Sequence, residues 1–447
     1  MNTPIVDFVK EYAASNALRL HMPGHKGNNV LGLERLDITE IDGADVLYNA
    51  KGIIKQSQQN ATTLFDTQKT LYSTEGSSLA IRAMLYLVKL YSAQNGKKPK
   101  IAAGRNAHKT FVTACALLDI DLDWLLPENS ETVISCKITA DFLEDYIAKT
   151  TQKPDAVYIT SPDYFGYVTD IAALSAVCKK HGILLLVDNA HGAYLKFLPQ
   201  DCHPISLGAD ICCDSAHKTF PVLTGGAYLH ISRNAPSLFA QKAETAMSMF
   251  ASTSPSYLIL QSLDMANLYI YNGYTERLGK FVETVSELKA ELGDKGFQFV
   301  GDEPLKLTIA AKPYGYTGDE LASVLSKEKT VCEFSDPDYT VMMLTPETDI
   351  AKLKTALLKI KKKTPIIYTP PKPMLQEKVL SPAKAILLPS QECEVENCLG
   401  EVLATPSVMC PPAIPIVVCG ERIDQSAIDC FKYYGIEKCF VVDKAFL

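Results

Sequence analysis

Between about residues 70 and 235, short apolar runs alternate with segments whose apolar positions recur at helical spacing, and no other feature constrains the fold more tightly. In the stretch closed by "LVKLY", Ile81, Met84, Leu85, Val88 and Tyr91 fall on one helix face. The next repeat is clearer. Ile171, Leu174 and Cys178 share a face, Lys179, Lys180 and His181 occupy the last turn, and Gly182 supplies the left-handed cap. "ILLLVD" follows, apolar until its final residue, as suits a strand covered on both faces of a parallel sheet. Strands and helices in this order predict an α/β fold with a mainly parallel central sheet.

Past residue 235 the pattern changes to a long helical stretch near 256–292, and shorter strand and helix segments return from 297 to 362. "KIKKKTPIIYTPPKP", Lys359 to Pro373, joins a charge cluster to four prolines and reads as a linker. The expected organisation is an N-terminal arm over 1–52, a large domain over 53–290, a small α/β domain over 291–365 and a C-terminal domain over 366–447. The last two are expected to be α+β.

With 447 residues, 47% of them hydrophobic and 21% charged, the chain resembles an ordinary globular protein. A net charge of -7 offers no basic face for a nucleic acid backbone. The thirteen cysteines are odd in number and form no Cys-x-x-Cys pair, while Asp7, Lys10 and Glu11 interrupt any secretory leader. Cys115, Cys136, Cys178, Cys212 and Cys213 lie in apolar runs and are expected as buried thiols in a reducing cytoplasm. No apolar run approaches the roughly 18–20 residues of a membrane span.

The chemistry concentrates at strand ends. In "ADICCDSAHKTF" a strand-like run ends at Ser215, and His217 and Lys218 follow. A lysine beyond the carboxyl end of a buried strand sits where open α/β sheets bind ligands, and desolvation there suits it to form a Schiff base. "LLLVDNAHG" places Asp188 at the end of another strand. This pair suits pyridoxal phosphate, which needs a lysine for its aldehyde and a carboxylate to keep its ring nitrogen protonated. "STEGSSLAIRAML" supplies Gly76, Ser77 and Ser78 ahead of a helix, where N–H groups and hydroxyls can face a phosphate dianion. "GRNAHKTF" adds His108 after the strand "KIAAG", a flat ring able to stack on the pyridine.

These motifs resemble those of the Orn/Lys/Arg decarboxylases, pyridoxal phosphate enzymes of fold type I, in the short form without an N-terminal receiver-like domain. "LHMPGHKG" is similar to that family's early His-x-Pro-Gly-His-Lys signature, and "SAHKTFPVLT" to its cofactor-lysine motif. "VDNAHGAY", "RNAHK", "STSPSYLILQSLD" and "MCPPAIPIVVCGERI" match four further segments. The resemblance implies an aspartate aminotransferase-like large domain, with Lys218 as the Schiff-base lysine and Asp188 on the ring nitrogen. It implies His108 on one ring face, Ala190 on the other, and His217 beside cofactor or substrate. Gly76, Ser77, Ser78 and Ser215 would hold the phosphate, aided across a homodimer or higher homo-oligomer by Thr253 and Ser254. His25, Lys26 and His191 would face the substrate.

The implied reaction is decarboxylation of arginine, lysine or ornithine to a polyamine-type amine, with Lys218 or His217 returning the proton. The substrate's cationic end would need a carboxylate, for which Asp163, Glu75 and Asp336 are candidates. Another fold-type I enzyme, an aminotransferase or aldolase, or a catalytically altered relative would use the same cofactor contacts. Departures from the family pattern are Glu75 for Asn, Asn189 for Glu, Tyr194 for a second His, Ala216 for a larger or hydroxylated residue and Ala413 for Gly. His21 and His25 have the four-residue spacing of helical metal ligands, but Pro23 and Gly24 between them favour a turn, so no metal is expected.

Overall fold

Seven strands follow the predicted alternation: β1 (Lys69–Ser73), β2 (Lys100–Gly104), β3 (Asp121–Leu125), β4 (Ala156–Thr160), β5 (Leu184–Asp188), β6 (Ile211–Asp214) and β7 (Ala227–Ile231). They belong to a computed structural model that describes residues 1–128, 130, 132–372, 374–408 and 413–447. The chain divides into two compact units, Met1–Lys97 with Leu184–Leu278, and Lys98–Ile183 with Gly279–Leu447.

In the first unit the strands lie in the order β1-β7-β6-β5. β5 and β6 run parallel with Asp188 beside Cys213, and every residue of both strands is buried, as the apolar run requires. β7 runs antiparallel to both β6 and β1. Between β6 and β7 the chain forms only the one-turn helix Ala216–Thr219 and a loop, too little for the crossover that a parallel neighbour needs. That short return keeps the Lys218 turn against β7.

The stretch ending in "LVKLY" forms the helix Gly76–Gln94, which buries Ile81, Met84, Leu85 and Val88 and lies against β7 and the helix Ser237–Ser248. Each such side chain contributes about 1.5–3 kcal/mol by leaving water. The stretch expected as one helix near 256–292 is two, Tyr257–Tyr271 and Tyr274–Asp294. Gly273 separates them at φ +79°, a left-handed conformation that breaks the helical path.

In the second unit β2 runs parallel to both β3 and β4. The helix Ile171–His181 ends at Gly182 with φ +67°, and the Asp170 side chain accepts the Ala173 N–H at its start. Next come the antiparallel strands β8 (Gln298–Val300), β9 (Lys306–Ala310), β10 (Phe334–Ser335) and β11 (Tyr339–Met343), ordered β10-β11-β9-β8 over a core that includes Leu307, Ile309, Leu321 and Leu357. Residues 361–372 have no regular structure, consistent with the proline-rich composition; Pro373 lies outside the described residues. Two antiparallel pairs follow, β12 (Ser390–Glu394) with β15 (Lys438–Val442), and β13 (Ser407–Val408) with β14 (Pro415–Val417).

The final segment is tied to the "RNAHK" motif. The buried Arg105 guanidinium donates to the carbonyls of Pro415 and Ile416 at 2.7 and 2.8 Å and meets the Glu421 carboxylate at 3.3 Å. Lys109 N–H donates to the carbonyl of Ala413, which stands at φ +59°. A glycine is unstrained there and an alanine costs about 1–2 kcal/mol, so the backbone explains why the related motif has Gly. Met409 to Pro412, the start of this segment, lie outside the described residues. Cys115, Cys136, Cys178, Cys212 and Cys213 are all buried free thiols. Among the described residues no helix is long and apolar enough to cross a membrane.

Candidate active site

The carboxyl ends of β5 and β6 bring most of the predicted residues together within the first unit. Asp188 ends β5 and is 3% exposed; its Oδ1 accepts the Ala190 N–H at 3.2 Å and the Cys213 thiol at 3.6 Å. Burial and the adjacent Asp188 charge push the Cys213 thiol well above its ordinary range, so it is an inert donor.

Ser215 leaves β6 in extended conformation, and its Oγ donates to Ser77 Oγ at 2.9 Å, at the head of the helix Gly76–Gln94. The intervening turn is made by Gly76 at φ +70°, whose N–H donates to the carbonyl of Gly225 at 2.7 Å. Gly225 itself stands at φ +100°, where a Cβ would come within 2.8 Å of the Thr74 carbonyl oxygen. Two facing hydroxyls at the positive end of a long helix form a cradle of the kind a phosphate needs.

Lys218 lies on the one-turn helix after Ser215, and its Nζ is 3.0 Å from Nε2 of the buried His191. The turn is fixed by its backbone. Lys218 N–H donates to the Ser215 carbonyl at 3.0 Å, and His217 N–H to that of Gly226 at 3.1 Å. The His217 ring also holds this carbonyl, through Nδ1 at 3.0 Å. His191, expected at the substrate, is therefore in direct contact with the lysine. Ala190 follows Asp188 closely and is buried, and Tyr194 and Ala216 are fully buried.

Glu75 does not face the cradle as a free charge, because its Oε1 accepts the Ser252 N–H at 2.8 Å. The carboxylate thus fastens the segment that carries Thr253 and Ser254. In the arm, His25 Nδ1 accepts the Gly27 N–H and its Nε2 lies 3.3 Å from Asp37, while Lys26 donates to the His21 carbonyl. These partners all belong to the arm itself.

His108, Asp163 and Asp336 belong to the second unit. His108 caps the helix Lys109–Leu118, its Nδ1 accepting the Thr110 N–H at 3.1 Å. Asp163 is engaged by its own loop and by Ser135, accepting from Ser135 Oγ, Phe165 N–H and Tyr167 N–H, and burial raises its pKa. Asp336 Oδ1 accepts the N–H groups of Asp338 and Tyr339, both at 2.7 Å, and Oδ2 is buried without a partner among the described residues.

Burial, reinforced by Asp338 and Asp319, pushes the Asp336 pKa up to about 7. A carboxyl whose folded pKa lies above its unfolded value binds more protons when folded, so its contribution falls as pH rises from about 4 to about 7. Asn at this position keeps the acceptor for both N–H groups and removes the charge. Asp336→Asn is expected to flatten the pH dependence of stability over that window and to stabilise at pH 8 on the order of 1–3 kcal/mol. Urea unfolding at pH 5 and pH 8 checks it; an unchanged slope would show that Asp336 is ionised throughout.

No motif marks the fully buried cluster at the end of β6, formed by Asp214 of that strand, His230 of β7 and His203. Asp214 Oδ2 meets His203 Nε2 at 3.0 Å and His230 Nε2 at 3.1 Å, and Asp214 Oδ1 accepts from Asn189 Nδ2 at 2.8 Å. His203 and His230 are distant from each other in sequence, so only the fold could unite them. The cluster accounts for one departure: with Asp214 already a carboxylate, position 189 must donate, and Asn can where an ionised Glu cannot.

A strand-end lysine and aspartate, with a hydroxyl cradle between them at a helix start, are shared by several enzyme classes, and sequence comparison separates these. The family model for the major domain of Orn/Lys/Arg decarboxylases matches residues 3–301. The chain belongs to the Orn/Lys/Arg decarboxylase family. An arginine decarboxylase of Halalkalibacterium halodurans is 28% identical over 95% of this chain and 91% of its own. One from Bacillus subtilis is 28% identical over 95% and 92%. The crystal structure of the lysine decarboxylase of Francisella novicida superposes with a TM-score of 0.78 at 17% identity, covering 99% of this chain and 81% of that one.

As a member of this family the protein is a pyridoxal phosphate-dependent amino acid decarboxylase of fold type I. The residues present fit that cofactor: a lysine amine, a buried carboxylate and paired hydroxyls at a helix N-terminus are the donor set it requires.

Proposed function

We propose that the protein converts a basic amino acid, arginine, lysine or ornithine, to the corresponding amine and CO2. The observation that carries the reading is the convergence of Lys218, Asp188 and the Ser215–Ser77 pair at the ends of β5, β6 and the helix Gly76–Gln94. Pyridoxal phosphate, when bound, supplies an aldehyde for amines and a ring that accepts the electrons of the broken bond.

Lys218 would hold the cofactor, and His191, 3.0 Å from its Nζ, is placed to exchange a proton with it through Nε2. Asp188 would keep a proton on the ring nitrogen of the bound cofactor. Ser215, Ser77, Ser78 and Gly76 would bind the phosphate, with Thr253 and Ser254 contributed by a second copy. His108 and Ala190 would be the residues assigned to the ring, and Lys218 or His217 would return the proton to the substrate carbon. His25 and Lys26 belong to the substrate entrance of a homodimer. The arm has the surface such a dimer would cover, since Leu18, Leu20, Val30 and Leu31 are each at least 79% exposed. Arginine is the first substrate to test, because two full-length relatives carry that specificity in their names. The amine would enter polyamine biosynthesis in the cytoplasm.

The test is CO2 release by purified, cofactor-supplied protein from arginine, lysine and ornithine in turn. The expected result is release from one of the three well above the others. Keto acid formation without CO2 would identify an aminotransferase instead, and neither product would overturn the reading.

A further inference from the structure

The buried cluster at the end of β6 has the composition of a metal centre, since ligand atoms of His203, Asp214 and His230 lie within 4.8 Å of one another. The outer ring nitrogens argue otherwise. His203 Nδ1 accepts the Ile205 N–H at 3.3 Å, so the neutral ring carries its proton on Nε2 and donates it to Asp214. A metal on that Nε2 would require a proton on Nδ1, facing another proton. His230 completes the set: its Nδ1 lies 2.9 Å from Thr70 Oγ1, a hydroxyl able to donate, leaving Nε2–H for Asp214. Burial lowers the His230 pKa and so favours the neutral ring.

Asp214 is the carboxylate these groups serve. Burial opposes its charge, and the hydrogen bonds donated by His203 and His230 favour it. The donors His203 Nε2–H, His230 Nε2–H and Asn189 Nδ2–H converge on it, with the Cys212 thiol 3.4 Å from Oδ1. Phe65 packs on both imidazoles, and Asp214, His203, His230 and Asn189 are fully buried.

Its place in the chain gives the cluster a consequence. Asp214 immediately precedes Ser215, and Asn189 immediately follows Asp188. Asn189 N–H also donates to the Cys213 carbonyl at 3.0 Å, so backbone and side chain together bind the end of β5 to the end of β6. We infer that Asp214 is a positioning residue: oriented by His203 and His230, its hydrogen bond to Asn189 sets the Asp188 carboxylate relative to the Ser215–Lys218 turn, and so sets how tightly the cofactor is held. This rests on the assignment of Asp188 and Lys218 above.

The bond can be broken and remade. Asn189→Asp places two carboxylates against each other, whereas Asp214→Asn removes the charge and leaves an amide pair that keeps one hydrogen bond when Asn189 turns its Oδ1 toward it. The double variant restores the pair in reverse: the amide oxygen introduced at position 214 accepts from both imidazoles, and its NH2 donates to the carboxylate introduced at position 189. Cofactor affinity is measured by equilibrium dialysis with pyridoxal phosphate, the visible absorbance band is recorded against pH, and the unfolding midpoint of the cofactor-free protein is the structural control.

Asn189→Asp is expected to bind cofactor at least tenfold more weakly and to shift the pH profile of the band, and Asp214→Asn to do so to a smaller extent. The double variant is expected to recover affinity to within threefold of the starting protein. If the singles fail to fold and the double folds, affinity of the double within threefold of the starting protein upholds the inference and weaker binding overturns it. A double variant no better than the poorer single, folded or not, overturns the inference, as does unchanged affinity in both singles. So does one equivalent of zinc per chain in the purified protein, whose removal reproduces the Asp214→Asn result. Since dialysis reads binding and not turnover, failure of the proposed decarboxylation leaves this test standing; absence of cofactor binding by the unmutated protein would instead sink the site assignment itself.

Discussion

Replacement of Lys218 by alanine is expected to reduce turnover by at least ~10³-fold, the scale set by losing a nucleophile that also handles protons, while leaving the fold intact. The fold survives because this turn does not depend on the lysine side chain. Its backbone bonds run from Lys218 to Ser215 and from His217 to Gly226, Ser215 is held by Ser77, and the lysine side chain is only half-buried, so truncation opens no cavity in the core. His191 loses the partner at 3.0 Å from its Nε2. The measurement has two arms. Borohydride reduction of the unmutated protein should add the mass of one cofactor on the peptide containing Lys218, and the variant should add none. Residual CO2 release within tenfold of the unmutated protein, or cofactor fixed to another lysine, would remove Lys218 from its proposed place.

How much of this was legible in the sequence follows from the range of the interactions concerned. Gly182 ends its helix, and the "ILLLVD" strand is buried throughout, because a cap and a two-sided strand are set by neighbours in the chain. The Lys218 motif was legible for the same reason, since the strand, the small polar residue and the lysine are contiguous. The direction of β7 was not read, although the short β6–β7 connection dictates it once the strand limits are known. The break at Gly273 was missed because apolar residues continue at helical spacing on both sides, and one left-handed glycine overrides them.

Contacts between distant segments were out of reach. Nothing local marks Glu75 as the acceptor for Ser252, or Arg105 as the anchor for Pro415 and Ile416. The departures from the family pattern were visible as residues, but their meaning needed partners. Asn189 for Glu makes sense only beside Asp214, and Ala413 for Gly only with its φ of +59°.

Asp188 separates two kinds of contribution, and Asp188→Asn isolates the chemical one. The Asn oxygen can still accept the Ala190 N–H now at 3.2 Å, and the change is nearly isosteric, so the end of β5 should keep its shape and the unfolding midpoint should change little. The carboxylate charge is lost. Asn cannot hold a proton on the ring nitrogen, and the ring then accepts electrons far less readily; removing an electrostatic contribution of this kind costs about 10²–10³-fold or more in kcat. Cofactor should still attach to Lys218, because the phosphate cradle of Ser77 and Ser215 is untouched. Reconstitution with an analogue methylated on the ring nitrogen, which carries its positive charge permanently, should return much of the rate to the Asn variant and little to Lys218→Ala. A variant that keeps its rate within threefold would assign the ring nitrogen to another group. Equal loss of cofactor affinity and rate, unrelieved by the methylated analogue, would reduce Asp188 to a packing role.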